Sequence, residues 1–352
     1  MNTPALATAL LLSTCSLATL AGQAPSAAPA AAPATAPAPT APAPTAPAPT
    51  APSPTAPAPS PTAAASEQFI LGESKVVAEG FQFTEGPIWV KGPDNKGGVL
   101  LFSDIPANTV FRLAPGGKAE PVRKPSGRAN GNAIDADGTV VSAESDGRIT
   151  RWSLPKAGET VAPDAVKASV LAQALGEDRL NSPNDLVILP GGRIVFTDPA
   201  YFVPRDARKL KFEGVFVLAP GGELKVVSEA YKRPNGVATS PDGKRIYVAD
   251  AGAREIWSHE VAADGTIGER KLLCKLPEKG RGVPDGLKTD REGRIYTTGP
   301  GGLYVLDTQG AVLQHVPLQG CTNVAFGGDD GKTLYVTASR RVLAFQTKVA
   351  GW

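Results

Sequence analysis

The residues best suited to chemistry recur at one place in a repeating pattern. Glu85, Asn130, Asn184, Asn235, Asp285 and Asn323 each open a short apolar run, at successive steps of 45, 54, 51, 50 and 38 residues. Two carboxylates and four amides offer hard oxygen donors and nothing softer. Brought to one axis, they form a site for a hard divalent cation, Ca²⁺ first, with positions left over for water or substrate. Two carboxylates facing a narrow channel with no cation between them would instead repel each other and resist ionisation. Any one of these heads alone is an ordinary turn or cap residue. The periodic set is what points to a site.

Other chemistries lack material. His259 lies in the strand-like run WSHEV and His315 in QHVPL, and there is no further histidine. A Ser-His-Asp triad or a zinc site built on several imidazoles therefore has almost nothing to draw on. No GxSxG elbow, P-loop or GxGxxG after a strand occurs. With three cysteines in 352 residues the chain is no disulfide scaffold. Cys274 and Cys321, expected on a blade rim and near the axis respectively, are read as free thiols. Net charge is +2, so nothing in the balance recruits nucleic acid.

The elements that must position the heads are strands. In five repeats a glycine falls eight residues after the head, at Gly138, Gly192, Gly243, Gly293 and Gly331, which marks a hairpin turn at fixed distance. A β-rich run follows each turn, such as IVFTD at 194 or IYVAD at 246, and then one or two further strands. Four strands in a repeat of this length make a propeller blade. The expected fold is all-β, a six-bladed β-propeller over residues 67–352. Its last repeat is one strand short, and KVVAEG at 75–80 has nothing else to pair with. That N-terminal strand is therefore expected to join the last blade and close the ring, which removes exposed sheet edges. Helix is needed nowhere, although residues 164–175 would admit a turn or two. Asp104, Asp198 and Asp250, ending second strands, are assigned to carboxylate-to-backbone bonds.

Residues 1–66 contain no Asp, Glu, Lys or Arg, and hold 15 of the 34 prolines. Residues 1–21 read as an export signal with cleavage after Ala21, too short and too rich in Ala, Ser and Thr for a membrane span. Leu12-Ser13-Thr14-Cys15 alternatively approximates a lipobox, with Cys15 as a lipid anchor. Residues 22–66, with repeated APAPT units, form an Ala/Pro/Thr-rich spacer. The expected location is outside a bacterial cytoplasm, periplasmic or extracellular, and the expected state is a monomer.

The segments EGPIW at 85, PSGRANG at 125, RLNSPNDLV at 179, FTDPAY at 196, RPNGVATSPDGKRIYVAD at 233 and VPDGLKTDREGRIY at 283 resemble bacterial members of the SMP-30/gluconolactonase/LRE-like family, across about residues 72–348. The resemblance implies a six-bladed, calcium-dependent propeller hydrolase that opens a sugar lactone, a carboxylic ester hydrolase of the gluconolactonase type. It makes Glu85, Asn184, Asn235 and Asp285 the metal-centred set, with Asp285 also the general base, and turns Arg128, Asn130 and Tyr201 toward the substrate. Zn²⁺, Mn²⁺ and Mg²⁺ are alternative ions. Related propellers also act on phosphotriesters or other small esters, and a non-catalytic binding propeller with a structural ion is the rival class. Where bacterial relatives often read ACEHG, this chain has Ser142-Ala143-Glu144-Ser145-Asp146, which removes an imidazole near the pocket.

Overall fold

The structure, a computed structural model, describes residues 67–156 and 158–352. The export signal, the lipobox cysteine Cys15 and the spacer lie outside the described residues. Six four-stranded antiparallel sheets follow one another along the chain. The first blade comprises Thr84–Val90, Val99–Asp104, Thr109–Leu113 and Ala119–Arg123, and the second Ala129–Ile134, Val140–Glu144, Arg148–Trp152 and Ala168–Ala172. The third is built from Leu186–Ile188, Ile194–Asp198, Gly214–Leu218 and Leu224–Ser228. Pro234–Thr239, Arg245–Asp250, Glu255–Val261 and Ile267–Lys275 form the fourth, and Leu287–Thr289, Ile295–Gly299, Gly302–Leu306 and Val312–Pro317 the fifth. Cys321–Gly327, Thr333–Ala338 and Arg341–Thr347 supply three strands of the sixth. Its fourth is the N-terminal strand Ile70–Glu79, paired antiparallel from Ile70 opposite Thr347 to Glu79 opposite Arg341. The chain is thus an all-β six-bladed propeller closed by its N-terminal strand. Residues 164–175 form turns and strand, not helix, because Ala168–Ala172 is the outer strand of the second blade. Among the described residues no helix is long and apolar enough to cross a membrane.

The core lies in the seams between blades. Six clusters of buried apolar side chains occupy the six seams, for example Val141, Ile149, Phe196 and Phe216 between the second and third blades. Phe102, Phe196 and Phe216 are completely enclosed, and each buried side chain of this size contributes about 2 to 3 kcal/mol. The period-2 alternation of each strand serves both of its neighbours, so a sheet that would be one-faced in a sandwich is two-faced here.

The seam that closes the ring is also latched by a side chain. Gln314, on the outer strand of the fifth blade, accepts the N–H groups of Phe69 and Ile70 at 2.8 Å each through Oε1 and donates to the Ile70 carbonyl at 2.9 Å. Gln314→Ala leaves those backbone groups without partners and is expected to cost roughly 2 kcal/mol. The check is a denaturant midpoint, which should fall while the fluorescence of the folded protein is retained. An unchanged midpoint would show that the latch contributes nothing to closure.

The five turn glycines all adopt positive φ, from 68° to 85°, which the reading of them as hairpin turns requires. Opposite those turns, three aspartates at the ends of second strands hold the loops that lead into the heads. Asp104 accepts from Gln82 N and Phe83 N, Asp198 from Asn181 N and Ser182 N, and Asp250 from Lys232 N and Arg233 N, at 2.7 to 3.2 Å. Each clamp sits two and three residues before Glu85, Asn184 or Asn235, so these acids position the site without belonging to it.

Candidate active site at the channel mouth

Successive heads touch round the axis through backbone. The residue after each head packs on the next blade's head: Gly131 N donates to the Asn184 carbonyl at 2.7 Å and Gly286 N to the Thr322 carbonyl at 2.8 Å. A Cβ on Gly86 would fall 1.7 Å from the Asn130 carbonyl oxygen, and one on Gly236 would fall 2.2 Å from that of Asp285. No side chain fits there, which explains the glycines that follow four of the heads. Hydroxyls from second strands fix the same carbonyls, Ser103 to Asn130 O at 2.9 Å and Thr197 to Asn235 O at 2.5 Å.

This contact pattern corrects the sixth head. Thr322 occupies the head position, and Asn323 stands one residue later, where the other blades carry Gly86, Gly131, Asp185, Gly236 and Gly286. The sixth hairpin is longer than those of the second to fifth blades, pairing Val324 with Val336 where the second blade pairs Asn132 with Ser142. A glycine therefore still falls eight residues after Asn323. The Asn323 Oδ1 is taken up by Val324 N at 2.8 Å, while its Nδ2 donates to Glu85 Oε2 at 3.1 Å. Asn323 thus orients Glu85, with its own amide oxygen engaged by the backbone.

The structure places the remaining expected residues on the same mouth. Glu85, Asn130, Asn184 and Asn235 are buried, and Asp285 is partly open. Glu85 Oε2 also accepts Gly86 N at 3.0 Å. Asn235 Nδ2 donates to Tyr201 Oη at 3.0 Å, which directs the amide oxygen the other way. The Asn130 Oδ1 is buried without a partner. Arg128 is held three ways. Its backbone is left-handed, with φ of 52°, and Asn108 Oδ1 accepts its N–H at 2.8 Å. Its guanidinium bonds Asp146 at 2.7 Å and lies over the Phe202 ring at 5.2 Å, beside Tyr201.

Sequence reasoning left out Asp185. It is buried, its Oδ1 accepts Leu186 N at 2.9 Å, and its Oδ2 has no hydrogen-bond partner, with Lys288 Nζ 3.8 Å away. The signal was present: an acid follows the third head where four others are followed by glycine. The Arg128–Asp146 pair was equally unread, and Asp146 ends the SAESD segment that replaces ACEHG. Ser145, at the imidazole position of that pattern, is buried with an unpartnered Oγ.

The electrostatics tie these groups into one site. Burial pushes Glu85 up to about 7; its bonds from Gly86 N and Asn323 oppose this, and the charge of Asp185 adds to it. Asp285 is raised well above the usual carboxylate range by burial and then by Glu85 and Asp185, against a bond from Asn235. The Tyr201 hydroxyl, at the inner end of a residue that is 40% exposed, is held protonated by its desolvation and the nearby Asp285 charge. Buried carboxyls that resist ionisation, with amide oxygens at the same mouth, suit a divalent cation, which would offset their charge. Among the described residues no group of three or more His, Cys, Asp and Glu side chains is arranged to hold a metal. A fitting set has to draw on amides, as Glu85, Asn184, Asn235 and Asp285 do.

The other polar residues stay within the blades. His259 is buried between Tyr231 Oη at 2.7 Å and the Gly268 carbonyl at 2.8 Å, and burial lowers its basicity. His315 lies on an outer strand against the Tyr304 ring. Cys274 and Cys321 are both free, on an outer and an innermost strand.

Comparison with known proteins agrees with this architecture. The SMP-30/Gluconolactonase/LRE-like region matches residues 83–340. A gluconolactonase from Zymomonas mobilis is 33% identical over 306 residues, 79% of this chain and 82% of that one. A pentonolactonase from Haloferax volcanii is 27% identical over 271 residues, covering 76% and 84%. Among solved structures, a gluconolactonase from Xanthomonas campestris superposes with a TM-score of 0.67 at 27% identity, covering 79% of this chain and 91% of its own. With the match spanning most of the propeller and a relative 33% identical over 79% of its length, this chain belongs to the SMP-30/gluconolactonase/LRE-like family.

Proposed function

We propose that this protein is a lactonase that opens the ring of a sugar-acid lactone at the channel mouth with the help of a divalent cation. The observation that carries the reading is the placement of Glu85 and Asp285 at one mouth beside the Asn235–Tyr201 pair, with burial and the charge of Asp185 raising both carboxyls and Glu85 raising Asp285 further. Similarity to two sugar lactonases supports the substrate class. Glu85, Asn184, Asn235 and Asp285 would hold the ion, and an all-oxygen set with two charges favours Ca²⁺ over softer metals. When bound, the cation supplies Lewis-acid polarisation of the lactone carbonyl.

The chain's own residues supply the rest. Arg128, fixed by Asp146 and Phe202, and the Asn130 and Tyr201 side chains orient the lactone hydroxyls. Asp285 takes a proton from water as the water oxygen adds to the carbonyl carbon. The ring C–O bond then breaks, and the departing ring oxygen receives the proton as a hydroxyl. The product is an open-chain hydroxy acid that ionises at neutral pH, so each turnover releases one proton. An export signal at residues 1–21 and the spacer at 22–66 would place this activity in the periplasm or outside the cell.

The substrate class is tested by pH-stat titration of glucono-δ-lactone, a pentono-γ-lactone, a simple aliphatic ester and a phosphotriester with the full chain and Ca²⁺. Turnover of the sugar lactones well above the other two is expected. Preference for the phosphotriester would move the protein to another hydrolase class, and no turnover of any, with tight ion binding, would make it a binding propeller.

A further inference from the structure

Beside the mouth, between the fifth and sixth blades, lies a cleft of about 890 Å³. Its wall is continuous with the site. Cys321, in the wall, precedes Thr322, whose carbonyl accepts Gly286 N next to Asp285, and its thiol feels the Asp285 charge. Ser339 and Arg341, also in the wall, offer their carbonyls to the Thr84 hydroxyl at 3.1 Å, next to Glu85. Arg281 lies four residues before Asp285 and completes the rim.

The charge of this cleft is one-sided. Arg281 and Arg341 line it, and no carboxylate does. Many arginines of the propeller are engaged: Arg112, Arg123, Arg128, Arg148, Arg151, Arg208, Arg245 and Arg294 pair with acids. Arg233 and Arg270 lie over aromatic rings. Arg281 and Arg341, like Arg205 and Arg291, have neither kind of partner among the described residues, and these two line one cavity. Glycines at 282, 299, 301 and 320 form part of its wall. A neutral sugar lactone needs no such pair of free guanidiniums, whereas a phosphate or sulfonate group matches them, since guanidinium binds oxyanions through paired N–H donors.

We infer that the cleft is a subsite for an anionic substituent, a phosphate or sulfonate group, carried on the substrate at the end remote from the lactone carbonyl. The inference rests on the lactonase reading and narrows its substrate to charged sugar-acid lactones. The first arm of the test compares kcat/KM for 6-phosphogluconolactone and glucono-δ-lactone in the wild type, Arg281→Ala, Arg341→Ala and the double variant. The phosphorylated lactone should be preferred, and each arginine removed should lower its kcat/KM by roughly 10-fold, as expected for a lost charge-assisted bond. Turnover of glucono-δ-lactone should stay within about 2-fold in every variant, which also shows that the variants fold. Equal turnover of the two lactones in the wild type, or parallel losses on both in the variants, overturns the subsite.

The second arm does not depend on turnover. Calorimetric titration with 6-phosphogluconate and with gluconate should show tighter binding of the first, weakened by either substitution and by added salt. If neither lactone is hydrolysed but 6-phosphogluconate alone binds through the arginines, the lactonase reading fails and the anion subsite stands. Equal binding of the two acids removes the subsite whatever the enzyme does.

Discussion

Asp285→Asn is expected to lower kcat for lactone opening by about 10³-fold or more while leaving the fold and most of the ion affinity in place. The amide keeps an oxygen where the carboxylate had one but cannot take a proton from water. Asp285→Ala removes both, so it should also abolish the stabilisation that Ca²⁺ confers. Comparison of the two variants separates the roles: the asparagine variant regains ion binding when Ca²⁺ is raised, but not turnover. Paired measurements of kcat and of the calcium-induced melting shift check this. If Asp285→Asn kept most of the wild-type kcat, the base would have to be another group, and Asp285 would be a ligand only.

The second large effect is a reversal of pH dependence by the ion. In EDTA the folded Glu85 carboxyl sits at about 7 against an ordinary 4.5, because it is buried beside Asp185, and Asp285 is displaced in the same direction. The folded state therefore holds protons that the unfolded chain releases. That stability is complete below the unfolded pKa and is lost as pH rises through the folded one, so the EDTA-treated protein should melt at a lower temperature at about pH 8 than at about pH 5. A bound divalent cation requires both carboxylates ionised, so its binding releases protons and tightens over the same range. The melting shift produced by Ca²⁺ should thus grow steadily from about pH 5 to about pH 8. A shift that is flat or shrinks with pH would mean that the ion does not bind at Glu85 and Asp285.

Much of this architecture is legible in the sequence because a propeller repeats itself. Polar heads at near-constant steps and glycines eight residues later mark six inner hairpins, and the orphan strand near residue 75 has one place to go. The closing pair of Ile70–Glu79 with Arg341–Thr347 follows from that count. Asp104, Asp198 and Asp250 are legible for the same reason, since an acid at the end of a second strand faces the loop that enters the head of its own blade. Spacing alone misleads at the sixth blade. Its longer hairpin preserves the distance from Asn323 to Gly331, and only the contact of Gly286 N with the Thr322 carbonyl shows which residue is the head.

What the sequence conceals are contacts between blades. Arg128, Asp146 and Phe202 come from three segments, and no periodicity announces that they stack. Arg281 and Arg341 are 60 residues apart and line one cleft only because the fifth and sixth blades are neighbours in the ring. Asp185 is a different case: it breaks the glycine rule at its position, and the exception marks the acid that electrostatically couples Glu85 to Asp285.

The central claim is that lactone opening depends on a cation held by these oxygens. The most direct measurement is hydrolysis of glucono-δ-lactone and its phosphorylated counterpart by the full chain, stripped with EDTA and then supplied in turn with Ca²⁺, Mg²⁺, Mn²⁺ or Zn²⁺. Turnover lost on stripping and restored by Ca²⁺, in wild type but not in Glu85→Ala, is the predicted result. Full turnover in the stripped protein, or restoration that ignores Glu85, would contradict it.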